Sequence, residues 1–311
     1  MTQHSPSLDR FIEASSQLGD DQTLSGQREA YSLSPDQLGL RMPDGVNFYD
    51  ENLQVQGHVF SIRHYQLLSA ARDALIVYFH GGGWIMGDLN SHHEVLAHMT
   101  AATGSEIVAV DYPLAPENRH PVQLLCGYAV LETLKTRTER NIEDPGNPVL
   151  VAGDSAGGQL AAALCLLSLQ ENGPEISAQI LIYPALNHLC DSDSYRRYAD
   201  GPLLTADSMK SYWRSVMPKD EEPANLLSPL LEPEVSGLPP AIIQLAEIDV
   251  LHDEATAYGE RLMATGTPVE VLDGSGMVHG FLRAIAMSDA AGAEFDRLCE
   301  RIKDLIIRVK E

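Results

Sequence analysis

From Leu75 onward the chain alternates short, β-branched runs with longer segments of helical periodicity, and that alternation restricts the fold more than any other feature. Six runs read as strands: Leu75 to Phe79, Ile107 to Asp111, Val149 to Ala152, Gln179 to Tyr183, Ala241 to Leu245 and Val269 to Leu272. Too short and too apolar to show alternation, they have the character of strands covered on both faces. Helical patterns fall between them, around Ser91 to Thr103, Pro121 to Thr136, Ala156 to Gln170, Asp253 to Thr265 and Ala290 to Val309. A helix between successive strands is the crossover that parallel strands require, so the expectation is an α/β fold with a mostly parallel sheet and helices on both sides. Pro121 suits a first helical turn, where its missing amide hydrogen costs nothing.

Three stretches fall outside this rhythm. Gly57 to Gln66 alternates apolar and polar residues and reads as an edge hairpin strand. Residues 1–50 carry scattered apolar positions (Phe11, Ile12, Leu18, Tyr31, Leu38, Met42), and residues 186–236 carry Tyr195, Leu203, Leu204, Met209, Tyr212 and Trp213 between prolines and acids. Both read as helical pieces outside the sheet. The second follows a strand end, where such sheets bind ligands, so the two are expected to form a helical cap. The organisation is then an N-terminal cap part (1–50), the first part of the core (51–185), a cap insertion (186–236) and the rest of the core (237–311).

Composition narrows the partners. The 311 residues include 44 acidic and 21 basic side chains, a formal net charge of -23 that repels phosphate backbones and anionic headgroups. Neither nucleic acid nor a membrane is expected to bind. No stretch approaches the roughly 18 apolar residues of a membrane span. Met1 to Asp21 is polar, with no basic segment leading into an apolar run, so the expected location is cytoplasmic. Cys126, Cys165, Cys190 and Cys299 are widely separated, which signals neither a disulfide framework nor a zinc site. His92 and His93, near Asp88, are adjacent on a helical pattern and so point apart, and no metal is expected.

Two glycine-rich runs carry the chemistry. Gly153-Asp154-Ser155-Ala156-Gly157-Gly158 fits the G-x-S-x-G nucleophile elbow, with a strand before it and an Ala- and Leu-rich helix after it. The sharp turn excludes Cβ atoms at Gly153 and Gly157. His80-Gly81-Gly82-Gly83-Trp84 fits the loop that completes an oxyanion hole, where Gly82 and Gly83 can bring bare amides close to a substrate. His80 reads as scaffold. The helix starting at Ala156 adds amide donors and a positive dipole end near the developing charge.

A serine hydroxyl needs a base, and the base needs an orienting acid. His279 lies just past the last strand, in Met277-Val278-His279-Gly280-Phe281, where it can lean over Ser155. His252 and His188 compete, the first at a helix start and the second at the mouth of the cap insertion. For the acid, Asp249 follows the strand ending at Leu245, with Glu247 one pleat away and Asp273 close to His279 in sequence. Position favours Asp249 and leaves both alternatives open. Asp253 and Glu254 read as acids favourably placed in the first turn of a helix.

Over roughly Leu75 to Phe281 the sequence resembles the hormone-sensitive lipase family of α/β-hydrolases, especially its bacterial carboxylesterases and acetyl-esterase-like members. The resemblance rests on His80 to Trp84, Asp111-Tyr112-Pro113-Leu114-Ala115-Pro116-Glu117, Gly153 to Gly158, Asp249-Val250-Leu251-His252-Asp253-Glu254 and His279-Gly280-Phe281. It implies an α/β-hydrolase fold with a helical cap. It also implies Ser155 as nucleophile, Asp249 as acid, His279 as base, and the amides of Gly82, Gly83 and Ala156 as the oxyanion hole. A homodimer paired through an edge strand near Val269 to Leu272 is a further implication. Pro113 and His252 depart from the residues usual at those places, which puts in doubt any salt bridge made there.

The function expected is hydrolysis of short- to medium-chain acyl esters of small molecules through an acyl-enzyme, with no cofactor. Two other readings stand beside it. One is a ligand-binding receptor on the same scaffold, against which the retained His279 argues. The other is the same triad turned on an amide, thioester or lactone.

Overall fold

The computed structural model describes residues 3–16, 23–55, 57–68, 72–139, 147–218 and 226–311. Among them, eight strands form one sheet: β1 (Val46–Val55), β2 (His58–Leu67), β3 (Leu75–Phe79), β4 (Glu106–Val110), β5 (Val149–Asp154), β6 (Ala178–Ile182), β7 (Ala241–Gln244) and β8 (Val269–Leu272). Their spatial order is β1-β2-β4-β3-β5-β6-β7-β8. β1 pairs antiparallel with β2, and β2 with β4, while every pair from β4 to β8 is parallel. The helices are α1 (Asp9–Ser16), α2 (Leu24–Leu38), α3 (His93–Thr103), α4 (Val122–Glu139), α5 (Ala156–Gln170), α6 (Asp193–Arg197), α7 (Ala206–Val216), α8 (His252–Ala264) and α9 (Asp289–Lys310).

The pleat of the central strands sorts these helices into two layers. Ile76 and Tyr78 of β3 pack in one cluster with Val95 and Met99 of α3 and Ile302 of α9. Their neighbours Val77 and Phe79 join the other, with Leu124 of α4, Leu164 of α5 and Leu262 of α8. Successive side chains of a strand point to opposite faces, so an unbroken apolar run is what two covered faces demand. α5 is buried continuously from Ala156 to Leu166, and its sequence is accordingly apolar all round.

The chain leaves β3 toward β4 and then returns past β3 to β5, so the winding reverses at the carboxyl ends of β3 and β5. Open α/β sheets bind ligands at such a switch point. Phe79 and Gly153 are paired in the β3–β5 register, so the run beginning at His80 and the turn at Ser155 emerge side by side.

The hairpin differs from the sequence expectation. The alternating segment is β2, but it lies inside the sheet, and the edge belongs to β1, which reaches back into the stretch read as irregular. β1 carries Asn, Asp, Glu and Gln and is exposed along most of its length, with only Leu53 buried, so no apolar periodicity marks it. Other element ends shift by one to three residues, the most at the end of α4, and Pro121 stands immediately before α4 rather than within its first turn. Of the irregular stretches, the first holds α1 and α2 and the second holds α6 and α7. Leu18 in the first and residues 219–225 in the second lie outside the described residues. No helix among the described residues is long and apolar enough to cross a membrane.

Candidate active site

Ser155 joins β5 to α5 with φ 55° and ψ -117°, a backbone conformation costing a non-glycine residue about 1–3 kcal/mol. Its surroundings hold it there. Its amide donates to the Ile182 carbonyl at 2.9 Å, and its own carbonyl accepts from Gln159 and Ala185, both at 3.1 Å. A Cβ on Gly157 would collide with the Phe79 carbonyl, and one on Gly153 with the Gly157 carbonyl. The two glycines of the elbow thus let α5 start against the end of β3.

The three side chains singled out from strand ends come together. The Ser155 hydroxyl lies 2.9 Å from His279 Nε2, and His279 Nδ1 lies 2.6 Å from Asp249 Oδ2. An ionised carboxylate can only accept, so Nδ1 carries the hydrogen, which leaves Nε2 to accept from the serine. The other carboxylate oxygen of Asp249, Oδ1, takes the Leu251 amide at 3.0 Å, and the side chain is fully buried. A parallel bridge between Ile248 and Val278, with the Ile248 amide 3.0 Å from the Met277 carbonyl, locks the two loops together. Each loop therefore carries its functional residue one position beyond the bridge.

The competitors are engaged elsewhere. His252 Nδ1 meets Asp253 at 2.8 Å, and His188 Nδ1 meets the Ser228 hydroxyl at 2.6 Å. Glu247 accepts the Gly276 amide at 2.7 Å, and Asp273 is exposed. His93 turns to Tyr65 and Arg63 while its neighbour His92 turns to Ser91 and Asp154, so the adjacent pair does not converge. The described cysteines Cys126, Cys165, Cys190 and Cys299 are buried and free.

Beside Ser155 runs the glycine loop. Gly82 and Gly83 have φ of 119° and 60°, values that favour glycine, and the Gly82 carbonyl accepts the Met86 amide at 2.9 Å to close the turn. Among the described residues neither glycine amide has an acceptor. The amide of Ala156 opens α5, where helix geometry provides none. The Tyr212 ring of α7 lies where a Gly83 Cβ would be, at 2.6 Å from it, and Trp84 packs on Trp213 of the same helix with ring centroids 4.3 Å apart. His80 is buried, stacks on Tyr112 at 4.3 Å and pairs through Nδ1 with the Gly81 carbonyl at 2.8 Å. Burial pushes its pKa down to about 4, so it is neutral at neutral pH.

Two features escaped the sequence reading. Asp154, buried just before the serine, accepts the Tyr78 hydroxyl and the Gly81 amide, each at 2.8 Å, and lies 3.2 Å from His92 Nε2. Burial pushes its carboxyl up, but the His92 imidazole and these hydrogen bonds outweigh it and hold the pKa at about 2. This carboxylate ties the elbow to the glycine loop. The second is Glu254, expected as a helix-terminal acid and instead fully buried, with Oε1 accepting the amides of Leu186 at 2.6 Å and Asn187 at 3.2 Å. It tethers the start of the second irregular stretch to α8, and burial raises its pKa well above the usual carboxylate range.

A cavity of about 340 Å³ opens onto Ser155 and His279. Phe11 and Tyr31 from the first irregular stretch and Leu203, Leu204 and Tyr212 from the second line it, with Met86 from the glycine loop. Asp154 and Arg283 are also in its wall.

A family profile described as the α/β hydrolase fold matches residues 76–283. Carboxylic ester hydrolase LipN of Mycobacterium tuberculosis is 32% identical over 254 residues, covering 79% of this chain and 67% of that protein. Carboxylesterase NlhH of the same organism is 34% identical over 221 residues, 70% of this chain and 69% of that one. The chain spans 62–69% of the length of the first three curated relatives it matches. The crystal structure of a thermostable esterase from Pseudomonas putida superposes with a TM-score of 0.89 at 25% identity, over 98% of each chain.

Proposed function

The chain belongs to the α/β-hydrolase family, and we propose that it is a serine carboxylesterase acting on short- to medium-chain acyl esters. Ser155 Oγ attacks the ester carbonyl carbon as His279 Nε2 takes its proton. The amides of Gly82, Gly83 and Ala156 receive the negative charge that develops on the carbonyl oxygen, and one such donor contributes about 3 kcal/mol to the transition state. Collapse of the tetrahedral intermediate breaks the bond to the alkoxy group, which leaves as the alcohol with the proton from His279. Water then attacks the acyl-Ser155 ester with His279 as base, and the carboxylic acid departs. Asp249 stays ionised throughout and stabilises the imidazolium.

The observation that carries this reading is the hydrogen-bonded chain from Ser155 through His279 to Asp249, opening on a cavity whose other walls mix apolar side chains such as Phe11, Leu203 and Leu204 with polar ones such as Gln27 and Arg283. Its volume, about 340 Å³, is near the small end of the roughly 300–1,000 Å³ usual for ligand sites, which suits a small ester. The esterases among the relatives support the same activity. Of residues 1–50 and 186–236, the described parts outside β1 serve as the cap over the site, since both stretches contribute side chains to the cavity wall.

The test is a series of p-nitrophenyl esters of increasing acyl length, run on the wild type and on Ser155→Ala. Turnover is expected to peak at short to medium acyl chains and to fall by on the order of 10³ or more in the variant. Retained turnover in the variant would remove Ser155 from its role. No turnover of any ester by the folded wild type would favour a binding protein instead.

A further inference from the structure

Arg283 sits on a short 3-10 turn (Phe281–Ala284), four residues past His279, and its side chain lines the cavity that holds Ser155. It is only 8% exposed, yet among the described residues it forms no ion pair. Its Nε is buried without a hydrogen-bond partner. Among the described residues its hydrogen bonds go to Tyr31 alone: one from Nη2 to the Tyr31 carbonyl, long at 3.4 Å, and one to the Tyr31 side chain. The guanidinium lies over the Tyr31 ring with its central carbon 4.0 Å from the ring centroid. A guanidinium carries five N–H donors, and a buried one is ordinarily matched by a carboxylate. Tyr31 thus compensates part of the charge and leaves the Nε donor unmatched. Asp154, the only carboxylate in the described cavity wall, is already engaged by Tyr78, Gly81 and His92.

From this cation, without an ion pair among the described residues and in the wall of the cavity that holds the serine, we infer that the site selects esters bearing a second, ionised carboxyl group, which pairs with Arg283 while the ester carbonyl lies at Ser155. The inference rests on the esterase reading above and adds a substrate class to it. The overall charge of -23 opposes the approach of anions from afar, so the preference is written into the site and not into the long-range field. A planar carboxylate can take two parallel N–H bonds from the guanidinium, which fixes the substrate's orientation as well as its charge. The carboxylate can belong to the acyl half or the alcohol half of the ester.

Two matched pairs separate these sources: monomethyl glutarate against methyl pentanoate, and 3-acetoxybutanoate against sec-butyl acetate, each followed by acid release in a pH-stat. In at least one pair the wild type is expected to show the higher kcat/KM for the charged member. Arg283→Gln should lower that charged-to-neutral ratio by on the order of 10- to 100-fold, the contribution of hydrogen bonds to a charged group. Arg283→Lys should retain part of the preference, and added salt should erode it. Tyr31→Leu removes the ring stacking but keeps the cation, so it should move both members of a pair together. Turnover of the neutral esters by the wild type tests the esterase reading separately. A wild type that prefers the neutral ester in both pairs would overturn the inference. So would an Arg283→Gln enzyme, folded by circular dichroism, in which both members change in the same proportion.

Discussion

Replacing Asp249 by Asn should reduce turnover far more than its small change in shape suggests, because the structure dictates which way the amide faces. The Leu251 N–H donates to Oδ1 at 3.0 Å, so the Asn oxygen is held at that end and its NH2 group faces His279 Nδ1, now 2.6 Å from the carboxylate. An NH2 group there only donates. His279 must then leave Nδ1 bare and carry its hydrogen on Nε2, which meets the Ser155 hydroxyl as a donor and no longer draws its proton. The flipped amide would set NH2 against the Leu251 N–H in a fully buried place, at a cost of about 1–3 kcal/mol. The wrong tautomer therefore prevails, and kcat/KM should drop by on the order of 10⁴, or about 5 kcal/mol of transition-state stabilisation. The assay is p-nitrophenyl ester hydrolysis with the fold checked by circular dichroism. A folded variant keeping more than about a tenth of wild-type activity would refute the tautomer argument.

Two buried carboxyls make opposite predictions about pH. Asp154 is held below its unfolded value of 3.8, at about 2, so its stabilisation is complete above about pH 4 and is lost as pH falls toward 2. Asp154→Asn should thus cost about 2–3 kcal/mol at neutral pH, and the gap from wild type should narrow as pH falls from about 4 toward 2 in thermal unfolding; a constant gap would contradict the assignment. Glu254 is held above its unfolded value of 4.5, so its contribution declines as pH rises through and beyond that value. Glu254→Gln keeps an acceptor for Leu186 and Asn187 without the titration, so it should gain on the wild type as pH is raised, and a margin that ignores pH would count against a neutral Glu254.

What the sequence reveals here follows the range of the forces involved. The parallel core was legible because strands covered on both faces are dominated by apolar residues, as Leu75–Phe79 and Val149 to Ala152 are, and their ends mark where a ligand can sit. Ser155, Asp249 and His279 stand just past such ends, so chain order alone placed them near one another. β1 was not legible, since an edge strand exposed on both faces needs no apolar pattern. Glu254 misled because an acid in a first helical turn is locally favourable, and nothing local records that Leu186 and Asn187 come to meet it. Asp154 did leave a signal, an acid fixed between the elbow glycine and the serine, but its partners Tyr78, Gly81 and His92 lie more than sixty residues away. Arg283 lies beyond the last motif, and only its burial without a counter-ion among the described residues makes it conspicuous.

The most direct measurement of the chemistry is covalent trapping. Diethyl p-nitrophenyl phosphate should transfer one diethylphosphoryl group to the chain with release of p-nitrophenolate, activity should vanish in step with labelling, and peptide mass spectrometry should find the group on Ser155. Complete inactivation with Ser155 unmodified, or full labelling of Ser155 with esterase activity intact, would contradict the assignment of Ser155 as the nucleophile.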